Sequence, residues 1–193
     1  MTPLEITANG FILASVYAAR RNSIHTWWSG MIGVTLYALM FWHAKLYADV
    51  VLQGFFFATS VVGWWQWTRG GTGGRELPIT RLSNAGRAFA LSGAISASIA
   101  MGYLFSRFTD AALPYADSYI LGASVVAQLL MMRRKIGHWI LWITVDVVAV
   151  VVYSMKELYL TAAVYSLLLV LCVQGLAEWR RIRQTQLLVE VVA

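Results

Sequence analysis

Seven stretches of predominantly apolar residues, each about 20 long and joined by short connections, fill most of this 193-residue sequence. They run approximately over 3–19, 26–44, 46–68, 85–106, 116–132, 136–154 and 157–179. A helix rises about 1.5 Å per residue and the hydrocarbon core is about 30 Å thick, so each stretch is long enough to cross a bilayer. Hydrophobic residues make up 59% of the chain and charged residues 12%. Soluble domains carry about 25% charged residues, and no water-soluble core could enclose so much apolar surface. The expected fold is an all-α integral membrane protein with seven transmembrane helices. The first stretch has no basic n-region and is followed by Arg20-Arg21 in place of a small-residue cleavage site, so it reads as a retained helix.

The first three stretches recur in the last three. Trp27 and Trp139, Leu46-Tyr47 and Leu158-Tyr159, Gly63 and Gly175, and Trp67 and Trp179 are all 112 residues apart. A fixed offset is the mark of duplication, and in membrane proteins duplicated bundles commonly enclose a central site. The expected domains are a first three-helix bundle over 3–68, a cytoplasmic loop over 69–84, a linker helix over 85–106, a second bundle over 116–179 and a cytoplasmic tail over 180–193. The loop carries Gly70-Gly71-Thr72-Gly73-Gly74 and Pro78, which break the apolar pattern. The linker is rich in small residues (Ser92, Gly93, Ser96, Ser98, Gly102), which let helix backbones approach closely in lipid. Three helices, one crossing helix and three more place both bundles in the same orientation, as parallel repeats.

Charge sets the direction. Assigned to alternate sides, twelve of the 15 cations fall together: Arg20, Arg21, Arg69, Arg75, Arg81, Arg87, Arg133, Arg134, Lys135, Arg180, Arg181 and Arg183. Lys45, Arg107 and Lys156 fall opposite. The positive-inside rule then puts the N-terminus outside and the C-terminus in the cytoplasm. These cations sit at helix ends and line no single solvent face, which argues against nucleic-acid binding. Cys172 is the single cysteine, so no intrachain disulfide can form, and it reads as a small packing residue.

An ionisable group at the bilayer centre costs about 2.5–3.5 kcal/mol to insert and signals function. Asp146 meets that condition about ten residues into the sixth stretch. Trp139, Trp142, Asp146, Ala149 and Tyr153 step by three and four along one face. The third stretch offers Asp49, Gln53, Phe56, Ser60, Trp64 and Trp67, and the fifth Asp117, Leu121, Ser124 and Gln128. At the 112 offset Gln53 matches Tyr165 and Asp146 matches Val34, so the two bundles present unlike groups. A carboxylate, carboxamides and indoles suit a flat, cationic, hydroxyl-bearing solute. The candidate substrate-binding residues are Asp146, Trp142, Gln53, Gln128, Trp139, Asp49 and Tyr165. Interhelical hydrogen bonding is the alternative role for the glutamines. Trp27, Trp28, Trp42, Trp64, Trp65, Trp67, Trp139 and Trp179 lie near helix ends, where headgroup anchoring is the alternative role.

Arg20-Arg21-Asn22 with Thr26-Trp27 and Gly30, Leu46-Tyr47-Ala48-Asp49 with Leu52-Gln53, Gly63-Trp64-Trp65-Gln66-Trp67, and His138-Trp139 through Trp142 and Asp146 to Leu158-Tyr159-Leu160-Thr161 together resemble the PnuC family of vitamin-precursor transporters. The resemblance spans roughly 10–180. Trp28 and Ser29 depart from it, standing where a proline and an aromatic are more usual. It implies a SWEET-like three-plus-one-plus-three fold in a bacterial inner membrane. It also implies facilitated diffusion of nicotinamide riboside with later trapping by a cytoplasmic kinase, and substrate held near the midplane. Related members carry thiamine or riboflavin, and Asp146 fits the two cationic vitamins better than neutral riboflavin.

A SWEET-like sugar carrier shares the architecture and is the nearest rival. A retinal photoreceptor needs a lysine in the seventh helix, and Lys156 precedes it. Haem or metal binding needs paired ligands at one depth, but His25 and His138 lie at one set of helix ends and His43 at the other. No nucleophile and base occur together, so the chain reads as a transporter and not an enzyme, with no cofactor or metal. Its expected partners are a small-molecule vitamin and the lipid bilayer; homo-oligomerisation is left open.

Overall fold

The computed structural model of the protein describes residues 2–74, 76–108 and 113–192. Among them are seven α-helices: α1 (Pro3–Arg20), α2 (His25–His43), α3 (Tyr47–Arg69), α4 (Asn84–Phe108), α5 (Pro114–Met132), α6 (Gly137–Met155) and α7 (Tyr159–Val192), with a 3₁₀ turn at Thr72–Gly74. Each apolar stretch has become a helix. By length and composition α4, α5, α6 and Tyr159–Val189 of α7 can cross a membrane. The first three helices have 18, 19 and 23 residues and are long enough as well, but Asn9 in α1, His25, Thr26 and Ser29 in α2, and Asp49 and Gln53 in α3 dilute their apolar character. Beyond Trp179 the expected tail is a continuation of α7. No glycine or proline follows to stop it.

Contacts divide the chain into two compact units. One holds residues up to Ile79, Met132–Arg134 and α7 from Ala177 onward; the other holds Thr80–Met131 and Lys135–Leu176.

In the first unit α1 begins with a capping box, Thr2 accepting from the Glu5 N–H and Glu5 accepting from the Thr2 N–H, and Pro3 occupies the first turn. It meets α2 through polar clasps: the Ser15 hydroxyl donates to the Thr26 carbonyl at 2.7 Å, and the Tyr37 hydroxyl donates to Asn9 at 2.6 Å. Gly63 lets α3 approach α2 until its backbone rests on the Trp27 ring. Trp27 in turn meets Trp67 edge-on at 5.1 Å, Trp67 meets Trp179 at 5.5 Å, and the Trp179 indole donates to the Ala19 carbonyl at 2.8 Å.

In the second unit α4 packs on α5, where a Cβ at Gly102 would strike the Tyr115 ring and one at Gly122 would lie 3.0 Å from the Ser98 hydroxyl. The small residues of α4 thus permit close backbone approach. Gly175 of α7 rests on the Trp139 ring of α6 as Gly63 does on Trp27. Trp27, Trp67, Trp139 and Trp179 are at most 2% exposed. Headgroup anchoring is therefore excluded for these four: Gly63 and Gly175 make room for the Trp27 and Trp139 rings, and Trp67 and Trp179 pack on each other. Trp28, Trp42 and Trp65 remain exposed.

Backbone geometry recurs at the 112-residue spacing. Among the described non-glycine residues, those with positive φ are Asn22, Lys45, Arg134 and Glu157, at 52°, 59°, 46° and 60°. They form two pairs at that offset, and each follows a helix. After them Ser23 and Lys135 donate to Ala18 and Leu130, and Leu46 and Leu158 to Phe41 and Tyr153. These six-to-one bonds are Schellman closures, which need a left-handed residue at the turn.

The 69–84 connection is less free than a plain exposed loop. Ile79 is buried, and the Leu77 carbonyl accepts from Arg134, itself only 2% exposed. The Arg134 guanidinium lies 4.5 Å from the Trp67 ring centroid and 3.4 Å from the Glu76 carboxylate. Burial pulls its pKa below the ordinary arginine value, and Glu76 opposes that pull. Within the second unit Lys135 donates to the Thr80 hydroxyl at 2.8 Å, and the Ile136 N–H donates to the Thr80 carbonyl at 3.0 Å.

Candidate functional site

The site is built outward from α6. His138, Trp139, Leu141, Val145, Asp146, Ala149 and Val152 are its buried residues, all on one side of the helix, so one stripe of it faces the protein. Asp146 sits at the midpoint of the 19-residue helix. It is 2% exposed, and its Oδ2 has no hydrogen-bond partner among the described residues. Val145 and Ala149, the adjoining buried side chains of the stripe, are apolar. An orphaned carboxyl oxygen in such surroundings is costly unless a cation, a proton or a donor reaches it.

The remaining candidates divide between the two units. Trp142, one turn before Asp146, is half-buried, and Gln128 of α5 is buried. Tyr165 of α7 stacks on Tyr153 of α6, with centroids 5.2 Å apart and an interplanar angle of 23°. Trp139 is placed against Gly175, its ring sealing the α6–α7 contact. In the first unit Asp49 stands in the first turn of α3 and Gln53 one turn further, both half-buried. Asp117, on the expected stripe of α5, is held by Lys156, whose Nζ donates to both carboxylate oxygens at 2.9 and 3.0 Å. Ser60 donates to the Phe56 carbonyl of its own helix at 2.7 Å.

Cys172 is buried, as expected of a small packing residue. Sequence reasoning missed Arg134. A positive-φ turn aims that side chain inward, and no sequence pattern reports on this.

Among known proteins, the nicotinamide riboside transporter PnuC of Escherichia coli is 28% identical over 192 residues, covering 86% of this chain and 80% of that protein, with the same figures for the Shigella flexneri protein of that name. The riboflavin/roseoflavin transporter RibM of Streptomyces davaonensis is 24% identical over 179 residues, covering 91% of this chain and 83% of RibM. A solved structure, the crystal structure of the vitamin B3 transporter PnuC, superposes with a TM-score of 0.74 at 21% identity, covering 94% of this chain and 82% of that one. This likeness shows a shared fold. The model of the nicotinamide mononucleotide transporter family matches residues 2–181, a span that contains every candidate side chain above. The chain therefore belongs to that family, whose members are membrane transporters and not enzymes.

Proposed function

We propose that the protein imports nicotinamide riboside by facilitated diffusion across a bacterial inner membrane, with a cytoplasmic kinase trapping the product by phosphorylation. The observation that carries this reading is the Asp146 carboxyl group, buried at mid-helix with one oxygen left without a partner among the described residues. A pyridinium ring neutralises such a group and stacks on an indole, here that of Trp142, while the ribose hydroxyls suit the carboxamides of Gln53 and Gln128. Asp49, Trp139 and Tyr165 complete the proposed set, Trp139 by holding α6 against α7. The mononucleotide named for the family carries a phosphate, and the set contains two carboxylates and no cation to receive it. The relatives called nicotinamide riboside transporters at 28% identity support the riboside. Neutral riboflavin, named for the more distant RibM, leaves Asp146 unanswered.

In this reading parallel bundles 3–68 and 116–179 flank a linker helix, 85–106, with the N-terminus outside. The 69–84 connection and 180–193 face the cytoplasm. The recurring Schellman closures and glycine–tryptophan contacts support duplication, and the cation bias supports the orientation.

Isothermal calorimetry of the detergent-solubilised protein tests the substrate. Nicotinamide riboside should bind, and Asp146→Asn should weaken it at least about tenfold, near 1.4 kcal/mol. Tighter binding of riboflavin or of the mononucleotide, or an unchanged affinity in Asp146→Asn, refutes the reading; tighter binding of thiamine moves it to the other cationic vitamin. Uptake into proteoliposomes should persist without a proton gradient, and its collapse would contradict facilitated diffusion.

A further inference from the structure

We propose that Asp117 is a specificity-determining residue for the charge of the substrate: by neutralising Lys156 at one end of the Asp146 stripe, it keeps that end open to a cation. The inference rests on the reading of Asp146 as the cation-binding group and extends it along the same helix face and onto α5.

Beyond Asp146, the residues Ala149, Tyr153 and Lys156 follow along α6 at steps of three, four and three, within a face about 100° wide. Ala149 is buried, and the half-buried Tyr153 stacks on Tyr165 of the proposed substrate set. Lys156 caps the helix one turn later, about 15 Å along the axis from Asp146. In the proposed orientation this is the outer end, from which substrate enters. Left alone, its ammonium would repel a pyridinium. Asp117, in the first turn of α5, accepts from the Lys156 Nζ on both carboxylate oxygens, at 2.9 and 3.0 Å, so the pair carries no net charge. With side chains 31% and 28% exposed the pair adds little to stability. Its larger effect is on the field that a charged solute meets.

The first bundle serves as an internal comparison, because it has the acid without the cation. Glu5 matches Asp117 at the 112-residue offset, but Ala44 stands where Lys156 would be, and Glu5 turns back to the Thr2 N–H in its own capping box. An acid in the first turn of a helix with no cation in reach is satisfied by its own backbone. Cation and counter-charge thus occur together, in the copy that also carries the buried Asp146.

Two unit charges about 15 Å apart, at an effective dielectric constant of about 20–40, change an affinity by about threefold to sixfold. The test is calorimetry on the full-length, detergent-solubilised protein in about 10 mM and about 1 M salt, where the Debye length is about 30 and about 3 Å. Nicotinamide riboside carries the pyridinium charge; its dihydro form has nearly the same shape and none. In low salt Asp117→Asn should weaken the cationic form at least about threefold and shift the neutral form less than about 1.5-fold. Lys156→Gln should tighten the cationic form by a similar factor, and the double variant should return it to within about 1.5-fold of the parent. In high salt these differences should vanish. Thermal unfolding checks that each variant is folded; should Asp117→Asn fail, Lys156→Gln reads the same field with the opposite sign. Equal losses for both ligands that persist in high salt or in the double variant would overturn the proposal and leave the pair a structural clasp, and so would a weakened cationic affinity in Lys156→Gln. Unchanged affinity in both single variants, with a loss in Asp146→Asn, would overturn it and leave the reading of Asp146 standing. If Asp146→Asn is also without effect, both fall together.

Discussion

Gly175→Ala is the sharpest probe of how the second unit is built. A Cβ at Gly175 would lie 2.5, 2.6 and 2.8 Å from three atoms of the Trp139 ring. Carbon atoms in contact sit about 3.5–4.0 Å apart, so about 1 Å of movement is needed. The indole is a rigid plate, 1% exposed, with no flexible end to swing aside. Overpacking of this kind costs about 1–3 kcal/mol, and the better helix propensity of alanine returns at most about 1 kcal/mol. With so rigid a ring the clash sits near the top of its range, for a net loss of about 2 kcal/mol. At about 2–4 °C per kcal/mol for a chain of this size, the midpoint should fall by about 4–8 °C.

Circular dichroism during heating of the detergent-solubilised protein reads this directly. Gly63→Ala, which would drive a Cβ into Trp27, should behave alike, whereas a Cβ at Gly10, Gly54 or Gly93 would meet nothing within 4 Å, and these positions should accept alanine without loss. Adding Trp139→Phe to Gly175→Ala should recover part of the midpoint, giving a coupling of about 0.5–3 kcal/mol. A Gly175→Ala midpoint within about 1 °C of the parent would refute the packing argument.

Other expected outcomes follow from single contacts. Arg134→Met should release the Leu77 carbonyl and the Trp67 face, lowering stability by about 2 kcal/mol and speeding limited proteolysis between residues 70 and 83; Arg134→Lys should rescue little, since an ammonium lacks the planar fork. A double-mutant cycle on Asp117 and Lys156, whose side chains are 31% and 28% exposed, should give a coupling below about 1 kcal/mol that shrinks with added salt. Tyr119→Phe removes the 2.7 Å bond to Thr144, which keeps its bond to the Leu141 carbonyl, so the loss should stay near about 1 kcal/mol by thermal unfolding.

Helices were the easily legible part of the fold, because apolar runs of membrane length have few alternatives once backbone polar groups must be satisfied internally. The stretches at 26–44 and 136–154 became α2 and α6 within a residue or two. Tryptophan was far less legible. At a helix end it can grip headgroups or wedge into a groove, and the choice depends on whether a glycine such as Gly63 or Gly175 lies across from it, which is a tertiary fact. Asp117 illustrates the same limit within the candidate site: helical spacing put it on one stripe with Gln128, but the salt bridge to Lys156 depends on where the α6–α7 turn delivers that lysine. The burial of an acid at the middle of α6 was legible, because the apolar stretch around Asp146 fixes the helix and its centre.

Duplication raises a problem that the proposed function has to solve. Two copies of one bundle recognise a symmetric ligand by default, and nicotinamide riboside has a charged ring at one end and a neutral sugar at the other. The observed repetition is confined to what shapes the helices: closures at Asn22 and Arg134 and at Lys45 and Glu157, and ring-on-glycine contacts at Gly63 and Gly175. At the proposed lining positions the copies part company, with Val34 against Asp146, Gly30 against Trp142 and Gln53 against Tyr165. Acid and indole fall in the second copy, and the carboxamide of Gln53 falls in the first. If that division orients the ligand, Val34→Asp should not create a second cation site, because Ser60 is already committed to the Phe56 carbonyl and no indole stands at Gly30. Calorimetry of Val34→Asp should therefore show one riboside per chain, at an affinity no tighter than the parent. Two equivalents, or a gain of about tenfold, would mean that the copies are interchangeable and that the asymmetry lies elsewhere.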